Sequence, residues 1–173
     1  MELWDAYRED GTLAGCNLVR GEIIPDGLFH LVSEIIVRHE DGMFLLMQRD
    51  LIKPNFPGLY VASAGGSAVV GERPYDTAIR ELREETGIEA PKLEQIYRCM
   101  SKDTIYYGYL CKTNCNKDSI TLQEGETISY LWLTKEEFFK FIESDKYMQS
   151  HKERMSEYLD TIRQIPICRV EAT

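Results

Sequence analysis

The segment Gly66–Ile88, GSAVVGERPYDTAIRELREETGI, restricts this chain more than any other, because Arg80, Glu81, Arg83, Glu84 and Glu85 crowd into six positions. Pro74 suits the first turn of a helix, Thr86-Gly87 suits its end, and the residues between are good helix formers. On that helix Glu81, Glu84 and Glu85 stand three and four residues apart and share a wedge about 100° wide. Carboxylates so placed repel one another unless a cation holds them together. Hard oxygen ligands on one rigid face describe a site for Mg²⁺ or Mn²⁺, ions that usually work together with substrate phosphates. A bare run of Glu and Arg is more often a solvated helix face. The frame around it therefore decides.

That frame runs Gly66, five residues, Glu72, seven residues, then Arg80-Glu81-Leu82-x-Glu84-Glu85-x-Gly87-Ile88. It resembles the Nudix box of the Nudix hydrolases at every defined position. The resemblance implies a Nudix-type α/β/α sandwich with a mixed β-sheet over about residues 28–145. It also implies Mg²⁺- or Mn²⁺-dependent cleavage of a phosphoric anhydride in a nucleoside diphosphate linked to another moiety. The family's metal ligands map onto Glu81, Glu84, Glu85 and the carbonyl of Gly65, which precedes the box. Glu84 is also a candidate for orienting the attacking water. Many members take a base from beyond the box, and Glu126 in QEGETISYLWLTKEEF falls in that region, with Glu124 as its competitor. Arg80 completes the candidate catalytic set. With Glu72 it is read as holding the loop and orienting the ligands without touching substrate.

The same scaffold carries a rival chemistry, that of isopentenyl diphosphate isomerase. The N-terminal text DAYREDGTLAG…RGEIIPDGLFHLV is similar to that subgroup, and His30 falls where one of its metal histidines lies. The isomerase needs a protonating cysteine in a loop N-S-x-C-x-H-P. Here that loop reads Ala62-Ser63-Ala64-Gly65-Gly66-Ser67-Ala68, so Gly65 takes the cysteine position and Ser67 the histidine position. A glycine can neither give nor take a proton, and His30 is expected to satisfy a core or loop hydrogen bond. A third reading, a Nudix module that binds nucleotide without cleaving it, is disfavoured by the three retained box glutamates.

A chain of 173 residues fits one domain with its own core. Residues 1–27 are expected to form a hairpin extension turning at Asp10-Gly11, and a second hairpin turns at Asp41-Gly42. LEQIYRCM, DTIYYGYLCKT and ISYLWLT read as strands. Residues 135–142 read as a helix capped by Thr134 with Glu137 in the capping box, and roughly 146–165 as a C-terminal helix within a closing segment 146–173. Tyr106, Tyr107 and Tyr109 alternate across a strand, so one face has the means to stack on a base or sugar. Arg49, Lys53, Arg98 and Lys102 are candidate contacts for distal phosphates.

The formal charge of −9 argues against a broad nucleic-acid surface, yet not against a phosphate substrate where a metal inverts the local sign. No stretch approaches a membrane span, and MELWDAYRED lacks the basic-then-apolar pattern of a secretory signal. Five scattered cysteines suit a reducing cytoplasm, and Cys111 with Cys115 lacks a second pair for zinc. A homodimer is the common habit of the implied fold.

Overall fold

The computed structural model describes residues 1–90 and 92–164. Its chain opens with a two-stranded antiparallel hairpin, β1 (Leu3–Tyr7) and β2 (Leu13–Val19). The turn between them is tied by Asp10, whose Oδ1 accepts from the Thr12 backbone N–H at 2.8 Å. β3 (His30–His39) then runs as the middle strand of a seven-stranded sheet, followed by β4 (Phe44–Arg49), β5 (Tyr60–Ala62) and β6 (Ala64–Ser67). The box helix α1 (Pro74–Thr86) leads to β7 (Leu93–Ser101), β8 (Thr104–Thr113) and β9 (Thr127–Leu133). The described chain closes with α2 (Lys135–Phe141), α3 (Gln149–Arg154) and α4 (Ser156–Gln164).

The sheet is mixed. β3 and β8 are parallel from His30↔Thr104 to His39↔Thr113, while the other pairings are antiparallel. Strand alternation sends neighbouring residues of β3 to opposite faces. Ile35 and Val37 pack with Ala78 and Leu82 of α1, and Ile36 packs with Phe138 of α2, Ile142 at its end, Met155 between α3 and α4, and Leu159 and Ile162 of α4. Two helical layers thus cover the two faces, as expected of an α/β/α sandwich.

Along one edge β3 changes partner: β6 pairs with residues 32–35, and β4 meets it at Arg38↔Phe44. The sheet therefore forks. β4 goes on to carry β5 and β9, and β6 leads into the box helix. The site described below lies in this fork.

The ends of α1 fall as the sequence requires. Pro74 is its first residue, and Gly87 caps it in the left-handed region at φ 73°, donating its N–H to Arg83 O at 2.9 Å. Both bonds of the capping box at Thr134 and Glu137 are present.

The single C-terminal helix expected over roughly 146–165 is corrected. The Tyr60 N–H donates to Lys146 O at 2.8 Å and the Met148 N–H to Tyr60 O at 3.0 Å, so residues 146–148 extend β5's edge. Helix begins only at Gln149 and breaks at Met155, leaving α3 and α4. Positions from 165 on lie outside the described residues, Cys168 among them.

Candidate active site

Arg80 organises the box. Its Nε and Nη2 donate to the two carboxylate oxygens of Glu72 at 2.7 and 2.9 Å, and Nη2 also reaches Ser67 O at 3.2 Å. Nη1 donates to Glu81 at 2.7 Å and to Glu84 at 3.1 Å. Glu72 in turn accepts from the Val69 N–H and the Thr77 hydroxyl, which fastens the loop before α1 to the helix. The hydrogen bond from Arg80 holds the Glu72 pKa below its ordinary value. This is the loop-holding geometry a planar guanidinium with five donors is built for.

Gly66 lies directly against the Glu81 carboxylate. A Cβ at residue 66 would fall well inside van der Waals contact distance of Glu81 Oε1. Gly65 is pressed on β3, where a Cβ would stand 2.7 Å from Ser33 O. The two glycines let the strand before the box lie flush against β3 and the Glu81 carboxylate.

Glu81, Glu84 and Glu85 share a cavity of about 470 Å³ with Glu126, Gly65, Arg49 and Lys53. That volume is in the usual range of ligand sites, about 300–1,000 Å³. Glu126 is joined to Lys53 by a salt bridge. Glu124 does not line the cavity, so the structure brings Glu126 and not its competitor to the box acids.

Glu85 is the outlier among these acids. Its residue is 7% exposed, and it makes no hydrogen bond or ion pair among the described residues. Burial first, then the charges of Glu81 and Glu126, push its pKa well above the ordinary carboxylate value. Burial also raises the Glu81 pKa, reinforced by Glu84 and Glu126 and opposed by Arg80.

Among the described residues no three acidic, histidine or cysteine side chains already stand as a metal cage. The reason is visible in the ion pairs: Glu81 and Glu84 are turned onto Arg80, and Glu126 onto Lys53. The donor set nonetheless fits a divalent cation. Four carboxylates converge on one cavity, one of them buried and unpaired, and a hard cation relieves the repulsion among them.

Other residues singled out in the sequence divide cleanly. Arg49, Lys53 and Tyr106 line the cavity. Tyr107 and Tyr109 pack instead in the α1 layer, and Arg98 lies over the Tyr107 ring and bonds Glu9 O. His30 Nε2 is 2.6 Å from Thr104 Oγ1 and its ring stacks on Trp4, away from the cavity. No cysteine lines the cavity among the described residues. Cys111 is buried, and that burial pushes its thiol up to about 12, a poor state for a metal ligand.

The sequence did not reveal two further groups. The hairpin of β1 and β2 brings Glu2 and Arg20, paired at 2.8 Å, to the cavity's rim. It is fastened to the box loop by Val70 N–H to Leu3 O at 3.2 Å and Gly71 N–H to Asp5 at 2.7 Å. Behind the box lies the second group. Glu34 is held by the Nε and Nη2 donors of Arg154 and accepts from the Tyr97 hydroxyl at 2.7 Å. Burial opposes the Glu34 charge, but His151 and Arg154 outweigh it and its pKa falls below the ordinary value. Burial lowers the His151 pKa from its ordinary value, and Arg154 is hydrogen-bonded to Glu34 as its counter-charge.

Comparison with known proteins agrees with this geometry. The NUDIX domain family model matches residues 28–158. An uncharacterised Nudix hydrolase of Listeria monocytogenes is 32% identical over 141 residues, covering 79% of this chain and 82% of the relative. An isopentenyl-diphosphate Delta-isomerase of Shigella boydii is 30% identical over 114 residues, 62% of this chain and 63% of the isomerase. Among solved structures, DR0079 of Deinococcus radiodurans shares the fold with a TM-score of 0.72 at 20% identity, covering 91% of this chain and 99% of that one. The NUDIX domain of Shewanella oneidensis NrtR, solved with ADP ribose, has a TM-score of 0.60 at 16% identity over 78% and 86% of the two chains. The chain belongs to the Nudix family. It is a hydrolase of pyrophosphate bonds, of a class that generally uses divalent metal ions. No helix among the described residues is long and apolar enough to cross a membrane.

Proposed function

We propose that this chain is a Mg²⁺- or Mn²⁺-dependent pyrophosphohydrolase that cleaves a nucleoside diphosphate linked to another moiety and releases a monophosphate. The observation that carries this reading is Glu85, buried without a partner in a cavity it shares with Glu81, Glu84 and Glu126. The ADP ribose held by the NrtR domain is a compound of this kind.

Glu81, Glu84, Glu85 and the Gly65 carbonyl are the groups that would hold the ion. Bound there, a divalent cation neutralises charge on the diphosphate and lowers the pKa of a coordinated water. The chain's own work is positional. Arg80 and Glu72 fix the approach of Glu81 and Glu84, and Gly66 sets the depth of Glu81. Glu126 and Glu84 are the two carboxylates placed to take a proton from the attacking water. Glu126 leaves the Lys53 ammonium for that purpose, and Lys53 with Arg49 then faces the phosphates. The isomerase reading lacks a proton carrier, since Gly65 stands where a cysteine is required.

The test is nucleoside monophosphate release with Mg²⁺ across a panel of nucleoside diphosphate derivatives. Glu85→Gln should lower kcat by about a thousandfold or more, since losing an ion ligand exceeds the 10–100-fold cost of its outer partners. Unchanged release in that variant sinks the metal assignment. Dimethylallyl diphosphate formed from isopentenyl diphosphate without phosphate release would favour the isomerase instead.

A further inference from the structure

Gly65 and Gly66 are gripped from opposite faces of the sheet. On the face of the box helix the Glu81 carboxylate closes on Gly66. On the other face Glu34 closes on Gly65. The two are partners across β3 and β6, and a Cβ at residue 65 would stand 3.2 Å from Glu34 Cα and 3.5 Å from its Cγ. Glu34 therefore lies against the backbone unit whose carbonyl is proposed above to hold the ion.

Glu34 belongs to a row that crosses four strands. Tyr97 of β7 pairs with Gly108 of β8, Gly108 with Glu34, and Glu34 with Gly65. Residues directly opposite one another share a face of the sheet. A Cβ at residue 108 would fall well inside contact distance of the Tyr97 ring, so the missing side chain is what lets that ring cross β8. Its hydroxyl then donates to Glu34 at 2.7 Å. From the helical layer Arg154 adds Nε at 2.9 Å, together with Nη2. Behind them the Tyr97 hydroxyl is 3.4 Å from His151 Nε2, and the Tyr147 hydroxyl 2.8 Å from His151 Nδ1. A buried polar network satisfied in this way is rigid, and it holds Glu34 in one rotamer.

The same guanidinium reaches a second cavity group. It lies 4.2 Å from the centre of the Tyr106 ring, which lines the main cavity. Glu34, Tyr97 and Arg154 are not part of that lining. Whatever they do for the chemistry runs through Gly65 and Tyr106.

We infer that Glu34 is a positioning residue of this site: held by Tyr97 and Arg154, it braces Gly65 from the face opposite the box helix and so fixes the direction of the Gly65 carbonyl. A backbone carbonyl has no side-chain torsion with which to find its ion. Its aim depends on what presses on the strand around it, and at Gly65 that is Glu34. Arg154 makes the brace and the Tyr106 ring one unit. This inference rests on the pyrophosphohydrolase reading and its ion site, and adds a residue that acts on the ion through the backbone.

The experiment measures Mn²⁺ binding to the purified protein from the loss of the free-ion EPR signal, at a temperature where circular dichroism shows each variant folded. Glu34→Gln and Arg154→Met are combined in one chain, which strands no charge. This double variant should bind Mn²⁺ about tenfold or more weakly than wild type, the size of effect that partners of a metal ligand carry. Tyr97→Phe keeps the ring across Gly108 and removes one donor to Glu34. It should weaken Mn²⁺ binding about three- to tenfold, as loss of one hydrogen bond does. Wild-type Mn²⁺ affinity in the folded double variant overturns the brace, since a role confined to stability leaves the affinity of folded protein unmoved. Should the double variant not fold, the same result in Tyr97→Phe overturns it. Wild-type protein that binds no Mn²⁺, or Glu85→Gln that binds it as wild type does, overturns the ion site itself. That failure is thereby distinguished from failure of the brace.

Discussion

Arg80 and Arg154 each grip a glutamate through the paired Nε and Nη2 donors of one guanidinium edge, Glu72 in one case and Glu34 in the other, yet the two pairs serve different ends. Arg80 and Glu72 are eight residues apart, and their side chains are 26% and 19% exposed. Arg154 and Glu34 are 120 residues apart and 12% and 10% exposed. The first pair sits at the cavity's lip, where water screens it and where Arg80 also holds Glu81 and Glu84. The second stitches α3 to the central strand in a low-dielectric layer, where loss of either partner strands a charge. A partly solvated clamp can exchange partners as an ion arrives. A buried one cannot.

Arg154→Met should give the largest stability effect, a loss of about 3–5 kcal/mol from an uncompensated buried carboxylate. Urea denaturation measures it, and adding Glu34→Gln in the same chain should recover much of it. Equal destabilisation by Arg80→Met would erase the distinction drawn above. Arg80→Lys should leave stability nearly intact but lower kcat about 10–100-fold, because an ammonium cannot grip Glu72 with two parallel donors and still reach Glu81. Steady-state kinetics beside a thermal melt separates these two readings.

The smallest effect is one of pH. Glu85 has its folded pKa raised above the unfolded value, so the folded protein binds the extra proton and metal-free stability falls as pH climbs above about 4.5. Glu85→Gln lacks that titration. Its metal-free melting temperature should therefore gain on wild type as pH rises, by a few degrees in this size range if the difference reaches about 1 kcal/mol. Saturating Mg²⁺ or Mn²⁺ should reverse the order by stabilising only the wild type. A difference flat in pH would mean that Glu85 is not the strained acid described here.

The contrast between the two arginines also explains what could be read in the residues alone. Glu72, Arg80, Glu81, Glu84 and Glu85 lie within one turn-and-helix segment, so spacing alone puts them together. Thr134 and Glu137 reveal their helix start for the same reason, since the two cap one another across three residues. Glu34, Tyr97, His151 and Arg154 come from β3, β7 and α3, and no local pattern joins them. Nor does any local signal announce that residues 146–148 pair with Tyr60 before the helix starts, or that β6 takes over from β4 beside β3. Signals that act within a turn were legible; those that need two distant strands to meet were not.

Gly66 ties the entrance of the box to Glu81 so closely that the two positions form an interlock. With no room for even one extra carbon between them, a larger residue at 66 would displace the Glu81 carboxylate and loosen its hold on Arg80. Through Arg80 that disturbance would spread to Glu72 and Glu84. The smallest residue of the chain thus sets how much room the acids of this lip have to rearrange.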